Sequence, residues 1–461
     1  MQTKKDRVQA YQTLVGRMSA ALLLGDTNYS EAPARRALIG LVFGVVLALL
    51  IGVAFWVYGL INPGGNMAWK KPNVILVEKE SGARFVYQHG FLVPVRNHAS
   101  AMLLQGAGAK VESISRASLS ELERGQTIGI ENAPDPLPAA SALVSTPWLL
   151  CLPHTGGVDV QGTGLMSMNA NPEAAGGAST RPLAENEYMW VGSTKGEQYV
   201  VLRDTKYRLT EPLVAVALGL GTSTPPAAPD AWLAALPNGQ DVAPASIPDQ
   251  GRKGARVGNQ DRSVGTVFRQ VAGNGTENFA VLRTDGLAPL SRTEAALLQA
   301  KNGQTVADID TATMASVPRS GDDSLTKRLP DLLAAKPIPT GKRAFCLRQR
   351  PYGTQVVSQA VTTERNYAYL GMNDRVGAYL RQGTGLLAAS VPAPTAKGAK
   401  PDRFLITDQG FKYQLANDDA ISALGYAGIT PQPVSAEVLA QIPSGPLLSR
   451  AAVGVLEKGR G

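Results

Sequence analysis

Two cysteines, Cys151 and Cys346, and three histidines, His89, His98 and His154, are the only thiol or imidazole groups in this 461-residue chain. A structural zinc site needs four converging ligands, so Cys/His zinc sites and His-rich metal centres are close to excluded by the count alone. Phosphate transfer by a P-loop needs GxxxxGK followed by Ser or Thr, because backbone amides must cradle the phosphates while a hydroxyl holds magnesium. The nearest string, Pro339-Thr340-Gly341-Lys342-Arg343, lacks the first glycine and ends in arginine, and reads as a turn. Neither a G-x-S-x-G elbow nor an HExxH helix occurs. His89 precedes Gly90 and His98 follows Asn97, which suits hydrogen-bonded turn or surface histidines. The acid pairs Asp322-Asp323 and Asp418-Asp419 are adjacent in sequence, and the second follows Asn417 at a helix start, where capping and the helix dipole account for acids. No catalytic residue, metal or cofactor is expected.

The elements that carry these residues follow from composition and pattern. Hydrophobic residues at 44% and charged residues at 18% supply a real core, which excludes wholesale disorder. Gly at 48 and Pro at 31 point to short elements joined by many turns. Aromatics at 6% weigh against a carbohydrate-active or RNA-stacking surface. The net charge of +8 is spread: residues 1–36 hold six Lys/Arg against three acids, and the rest holds 39 against 34. With no DNA-binding motif, a solvated basic surface is expected and no nucleic-acid partner.

From Ala37 to Ile61 the chain runs 25 residues without a charge. At the helical rise that is about 37 Å, more than the roughly 30 Å of bilayer hydrocarbon, so the segment reads as one tilted transmembrane helix. Its length, its 36-residue leader and the Asn62-Pro63-Gly64-Gly65-Asn66 run that follows argue against a cleaved signal peptide. Trp56 and Tyr58 flank its far end as interfacial aromatics, with Trp69 beyond them, and Arg35 and Arg36 flank its near end. Positive charge favours the cytoplasmic side. The expected topology is a cytosolic N-terminus, one span in the cell membrane and an extracytoplasmic bulk, an oxidising setting for two cysteines. In the leader, Val8, Tyr11, Val15, Met18 and Leu22 fall at spacings of three and four on one helix face. That stripe needs a protein partner or a lipid surface, since a helix of this length is marginal alone.

Beyond the span the chain repeats. Four stretches begin on an aromatic residue, at Phe85, Tyr199, Phe279 and Phe404, and close near Gly125, Gly239, Gly321 and Gly445, after 40, 40, 42 and 41 residues. At least three also have a strand before the start, joined to it by a polar turn as in a β-hairpin, and each continues into an Ala/Leu-rich helical stretch, a module of roughly 45 residues. Cys151 lies 66 residues after Phe85, and Cys346 lies 67 after Phe279. The body therefore divides into two related halves, each ordered module, cysteine segment, module. Equivalent positions of two such halves meet near the axis, so a Cys151–Cys346 disulfide is expected, with two buried free thiols as the alternative. The Gly/Ala/Pro runs around residues 162–180 and 391–400 read as exposed loops or linkers, and the tail after Arg450 as flexible.

The fold class expected is α+β: a single N-terminal transmembrane helix, then an elongated extracytoplasmic domain of four modules around a central β-rich segment, in pseudo-two-fold halves. The boundaries are 1–36 for the leader, 37–61 for the span and 62–461 for the outer domain. Modules lie near 75–130, 188–245, 265–325 and 400–450, with central segments at 135–187 and 335–399.

The chain resembles the EccB family, membrane core subunits of actinobacterial type VII (ESX) secretion systems. The strings that carry this are RVQAY at Arg7 to Tyr11, the ALLLGD run ending at Asp26, SGARFVY at Ser81 to Tyr87, LVPVRNHAS at Leu92 to Ser100 and GIENAP at Gly129 to Pro134. The modules and the two cysteines extend the likeness over essentially the whole chain. One departure is Ala101-Met102, where the family pattern places an arginine. The resemblance implies a structural subunit that scaffolds and stabilises an export channel. Its implied partners are an EccC-type motor ATPase, EccD, EccE and the mycosin protease, with self-association in a multimeric membrane complex. It would give the Val8 to Leu22 stripe its partner. An ATPase or nucleotidase activity, proposed for some relatives, and cell-wall binding are the alternatives.

Overall fold

The computed structural model describes residues 3–25, 34–61, 67–145, 147–152, 167–170, 180–221, 224–303, 305–339, 343–368 and 377–454. They form two units, one of residues 1–71 with 78–82 and 113–122, the other of 72–77, 83–112 and 123–461.

The first unit holds helix α1 (Lys4–Leu24) and helix α2 (Ala34–Ile61). A reciprocal capping box starts α1: the Thr3 amide and hydroxyl both donate to Asp6 Oδ2. Gly25 stops it at φ 71°, a left-handed conformation that glycine adopts without steric cost. Within α2, Ala37–Gly59 has a mean hydropathy of 2.9 and is nowhere buried, which makes it long and apolar enough to cross a membrane. The helix begins three residues ahead of the expected span, so Arg35 and Arg36 fall in its first turn; their side chains lie outside the described residues. A one-turn helix at Ala68–Lys70 follows, where the Lys70 ammonium sits 5.1 Å over the Trp69 ring.

The second unit is built from four small sheets of one topology. The first contains β1 (Val74–Glu78), β2 (Arg84–Gln88), β3 (Phe91–Val95) and, after helix α3 (His98–Gln105), β4 (Lys110–Ile114), in the order β3-β2-β1-β4. Helix α4 (Arg116–Leu119) comes next in the chain. Strands β5 (Trp148–Cys151), β6 (Ser167–Asn169) and β7 (Arg181–Pro182) enter a separate central sheet. The second small sheet is β8 (Glu187–Ser193), β9 (Gln198–Leu202), β10 (Thr205–Leu209) and β11 (Ala227–Ala228), with helices α5 (Pro212–Ala217) and α6 (Asp230–Ala234). A hairpin of β12 (Lys253–Val257) and β13 (Gln260–Ser263) leads to the third. That sheet is β14 (Val267–Val271), β15 (Glu277–Arg283), β16 (Gly286–Leu290) and β17 (Ala307–Asp308), with helices α7 (Arg292–Asn302) and α8 (Thr311–Ser316). The short β18 (Lys336–Pro337) runs parallel to β8. The central sheet is completed by β19 (Ala344–Tyr352), β20 (Gln355–Thr363) and β21 (Ala378–Tyr379). The fourth small sheet is β22 (Gly385–Val391), β23 (Arg403–Thr407), β24 (Lys412–Leu415) and β25 (Gln432–Ser435), with helices α9 (Asp418–Ala423), α10 (Ala436–Gln441) and α11 (Arg450–Val453). In each, three strands form an antiparallel meander and a fourth returns beside the first.

Register corrects the repeat read from sequence. A closing segment pairs in parallel with the third strand of every module, through Leu92–Arg124, Lys206–Asn238, Leu287–Arg319 and Lys412–Ser444. Two residues further on, the third strand faces Phe85, Tyr199, Ala280 and Phe404 across the meander. The third module thus carries Ala280 at the aromatic position, not Phe279, and Ser320 at the glycine position, not Gly321. Its aromatic ring has moved one strand over: Phe268, fully buried, pairs with Ala280. The glycine swap has a steric cause. A Cβ on Gly239 or Gly445 would lie under 3.0 Å from the ring of Tyr207 or Tyr413, whereas the third module has Ala288 at that place and room for Ser320. Modules one and three share Leu-x-Pro in the third strand, and modules two and four share Lys-Tyr, which matches the two halves.

The central sheet runs β21-β6-β5-β19-β20-β7. A two-fold between β5 and β19 exchanges β6 with β20 and β7 with β21, so each strand's equivalent comes from the other half; only the direction of the outermost pairings breaks it. On one face, Trp148, Leu150, Phe345 and Leu347 pack against Trp232, Leu233 and Leu236 of module two and Val438, Leu439 and Ile442 of module four. Burying each such side chain is worth about 1.5–3 kcal/mol. The Trp232 indole N–H donates to Leu150 O at 3.0 Å, which satisfies its polar atom inside that core. Modules also pair through their first helices: α5 meets α7, joining modules two and three, and α3 meets α9 and α11, joining modules one and four. Ala99 and Leu103 of α3 are buried with Ile421, Leu424 and Tyr426. The first module therefore closes on the last, across nearly the whole sequence.

Three expectations change. The run around residues 162–180 contains β6, with Met168 and Asn169 buried in the central sheet, so part of it is structural. The fourth sheet begins at Gly385, within the segment expected to be central, because residues 392–402 are the β22–β23 connection and not a linker between modules. The tail forms α11 and buries Val453 before the described residues end.

Candidate functional site

Cys151 and Cys346 are directly opposed on β5 and β19, with their Cα atoms 4.0 Å apart, and form a disulfide. The bond sits on the pseudo-two-fold, and both residues are fully buried with Leu149, Ala344 and Val361. It is therefore a clamp between halves and not an accessible redox centre.

The stripe on α1 is open. Val8, Tyr11, Val15, Met18 and Leu22 are exposed, Tyr11 at 71% and Leu22 at 84%, and Leu14 beside them is exposed too. Trp56 and Tyr58 are exposed near the end of α2. These surfaces have no cover within the chain among the described residues.

Polar residues flagged in the sequence serve structure. His89 occupies the β2–β3 turn at φ 51°. His98 opens α3, where its backbone N–H donates to Asp135 Oδ1 at 2.9 Å; burial and the Arg84 charge push its imidazole below the usual range against the opposing pull of Asp135. His154 and residues 340–342 lie outside the described residues, while Arg343 binds the hydroxyl and carbonyl of Thr362. Asp322 pairs with Arg283 and Asp323 with Lys327. Asn417 caps α9 by accepting from Ala420 N, and Asp418 is held to about 2 by Lys400 and Arg403. Among the described residues no group of three His, Cys, Asp or Glu side chains is placed to hold a metal.

Three features escaped the sequence. Glu294, fully buried on α7, receives a two-pronged bond from Arg328 at 2.6 and 2.8 Å, and Arg328 also donates to Ala243 O at the end of module two. The Lys206 ammonium donates to Leu233 O in the last turn of α6 and to Leu236 O just past it, and Lys412 does the same to Leu439 O and Ile442 O at the end of α10. Burial lowers both lysines, and the carbonyls at a helix C-terminus compensate the charge. The repeated Lys-Tyr was the signal available for this pair. Third, module three carries a cavity of about 990 Å³.

The chain's two-part build, a leader and span joined to four modules about a disulfide-bridged sheet, has relatives. Residues 1–459 match the sequence profile described as "Type VII secretion system ESX-1, transport TM domain B". The chain belongs to the EccB family. It is 25% identical over 480 residues to the ESX-1 secretion system ATPase EccB1 of Mycolicibacterium smegmatis, covering 98% of this chain and 94% of that protein. It is 25% identical over 477 residues to its namesake from Mycobacterium tuberculosis, with the same coverage. Among solved structures, a chain of an intact ESX-5 inner membrane complex superposes with a TM-score of 0.60 at 22% identity, covering 100% of this chain and 96% of that one. An EccB3 dimer from the ESX-3 core complex gives 0.57 at 23% identity, covering 83% and 100%. This EccB-family chain therefore shares the fold of those proteins, and its family is that of a membrane component of type VII secretion.

Proposed function

We propose that this EccB-family protein is a structural subunit of a type VII secretion membrane complex, scaffolding the export channel from both sides of the membrane. The observation that carries this is the exposed apolar stripe of α1, joined through one span to a body whose modules are locked together by a disulfide and buried helix pairs. An exposed apolar helix face is stable in water only when covered. The partner the stripe fits is a cytosolic protein surface, that of an EccC-type motor ATPase or of EccD or EccE; on the outer side the modules associate with a second copy and with a mycosin protease. The N-terminus is cytosolic and the modules extracytoplasmic, in keeping with Arg35 and Arg36 before the span.

The test is affinity purification of tagged full-length protein from its native membrane in mild detergent, followed by mass spectrometry. Stoichiometric recovery of an FtsK-type ATPase and a many-spanning protein is expected, and Tyr11→Asp with Val15→Asp releases the ATPase while the disulfide stays formed. Recovery of the protein alone, under conditions that preserve other membrane complexes, would overturn the proposal.

A further inference from the structure

In three modules the closing segment pairs twice with the third strand. Ile128 N donates to Pro94 O at 3.0 Å, Val242 N to Arg208 O at 2.7 Å and Leu448 N to Gln414 O at 2.8 Å. The carbonyls of the same three residues accept from Arg96, Thr210 and Ala416. Each sits three residues after its module's glycine. In module three the carbonyl that accepts from the corresponding amide, Ser291 N, is that of Leu325, five residues after Ser320. Two residues have been added. Asp285 Oδ2 accepts from Ser320 Oγ and Gly321 N, and Asp322 Oδ1 accepts from Ser324 N, so the longer segment is held out as its own turn.

The consequence is one unfilled acceptor on the outer edge of β16, between Leu287, which keeps its bonds to Pro318 O and Ser320 N, and Ser291, which bonds Leu325 O. The Pro289 carbonyl, counterpart of Pro94, Arg208 and Gln414, receives no donor among the described residues. Pro289 lines the 990 Å³ cavity, together with Leu287, Met314, Asn278 and Arg319. The acids of that cavity are already engaged: Glu277 by Arg269 and Arg292, and Asp331 by the Thr293 hydroxyl and Ala334 N. Arg319 makes no hydrogen bond or ion pair among the described residues. In module one the equivalent Arg124 guanidinium lies 5.5 Å over the Phe85 ring; module three has Ala280 at that position. Arg319 is thus the charged side chain of the lining that has neither a hydrogen bond nor an ion pair among the described residues.

We propose that this edge of module three docks an extended, acidic peptide segment of a partner protein. Its backbone N–H takes the Pro289 carbonyl, as the closing segment does in the sister modules. An apolar side chain lies against Leu287 and Met314, and a carboxylate meets Arg319. The free carbonyl supplies a single backbone anchor, and the guanidinium, with its planar fork of donors, supplies selectivity. The inference does not depend on the secretion reading.

The experiment uses full-length protein in detergent micelles and fluorescence anisotropy with two labelled hexapeptides, Thr-Val-Glu-Val-Thr-Val and its twin with lysine in place of glutamate. Saturable binding of the glutamate peptide, at least ten-fold tighter than the twin, is expected, and Arg319→Glu reverses the preference. Removing Asp322 and Asp323 restores the sister spacing and abolishes binding; Arg319→Glu, at an exposed position, carries the test if that deletion does not fold. No saturable binding of the glutamate peptide, equal binding of the two, or a preference unmoved by Arg319→Glu overturns the proposal. So does a change of self-association on Arg319→Glu without peptide binding, which would give the edge to a second copy.

Discussion

The steric logic that ties Gly239 to Tyr207 makes a quantitative test of the module register. A serine at Gly239 places its Cβ against Cδ1 and Cε1 of the Tyr207 ring. Gly239 does not occupy a left-handed conformation, so the cost is the clash alone and not backbone strain. Overpacking of this kind costs about 1–3 kcal/mol. Tyr207→Ala by itself removes a half-buried ring, at about 2 kcal/mol, below the range for a fully buried aromatic. The double variant installs the pair that module three already carries, Ala288 with Ser320. The clash is then gone, and the double should be less destabilised than the sum of the singles by about 1–3 kcal/mol. Trp190 and Trp232, both buried within module two, report its unfolding by fluorescence in a denaturant titration. Additivity of the two singles within about 0.5 kcal/mol would refute the equivalence of these positions.

Arg328→Met strands the buried Glu294 carboxylate and should destabilise by about 3–5 kcal/mol, while adding Glu294→Gln returns most of that; failure of the second change to rescue would show that the arginine acts through packing alone. Asp204 sits at φ 61° and accepts from Ala360 N, and burial raises its carboxyl above the ordinary range against that bond and the Arg348 charge. A raised carboxyl favours the protonated fold, so its stabilising contribution is present below the ordinary 3.8 and is lost as pH rises through the raised value. Asp204→Asn should therefore have the higher melting temperature at pH 7, with the gap closing toward pH 4, and a gap that widens in acid would reverse the assignment. Replacing both cysteines by serine opens a 195-residue loop and should cost up to about 5 kcal/mol. Because both sulfurs are buried, reductant without denaturant should leave the bond intact by thiol alkylation, and ready labelling would contradict that burial.

Local chemistry was legible from residue types alone. The apolar α2 and the Asn417 cap each depend on groups a few residues apart, which is why the sequence reports them directly. The two-half arrangement was visible in the spacing of the cysteines, since duplication preserves distance along the chain. The repeat itself was legible only to within one residue in module three. Phe279 and Gly321 stand beside the true positions, and alternation on a strand puts neighbours on opposite faces. Residues 392–402 hid a hairpin, because a Pro/Gly-rich loop looks alike whether it joins two strands or two modules.

The sequence by itself determined a one-span membrane protein with an α+β body of four related modules, because hydropathy and periodicity are properties of contiguous segments. Only the tertiary structure decided that module one closes on module four, that Glu294 meets Arg328, and that two added residues leave β16 unpaired at Pro289. Each of these depends on which surfaces meet across long sequence separations or on hydrogen bonds counted between strands. Such contacts are selected by the packing of the whole body, and no window of sequence contains both partners.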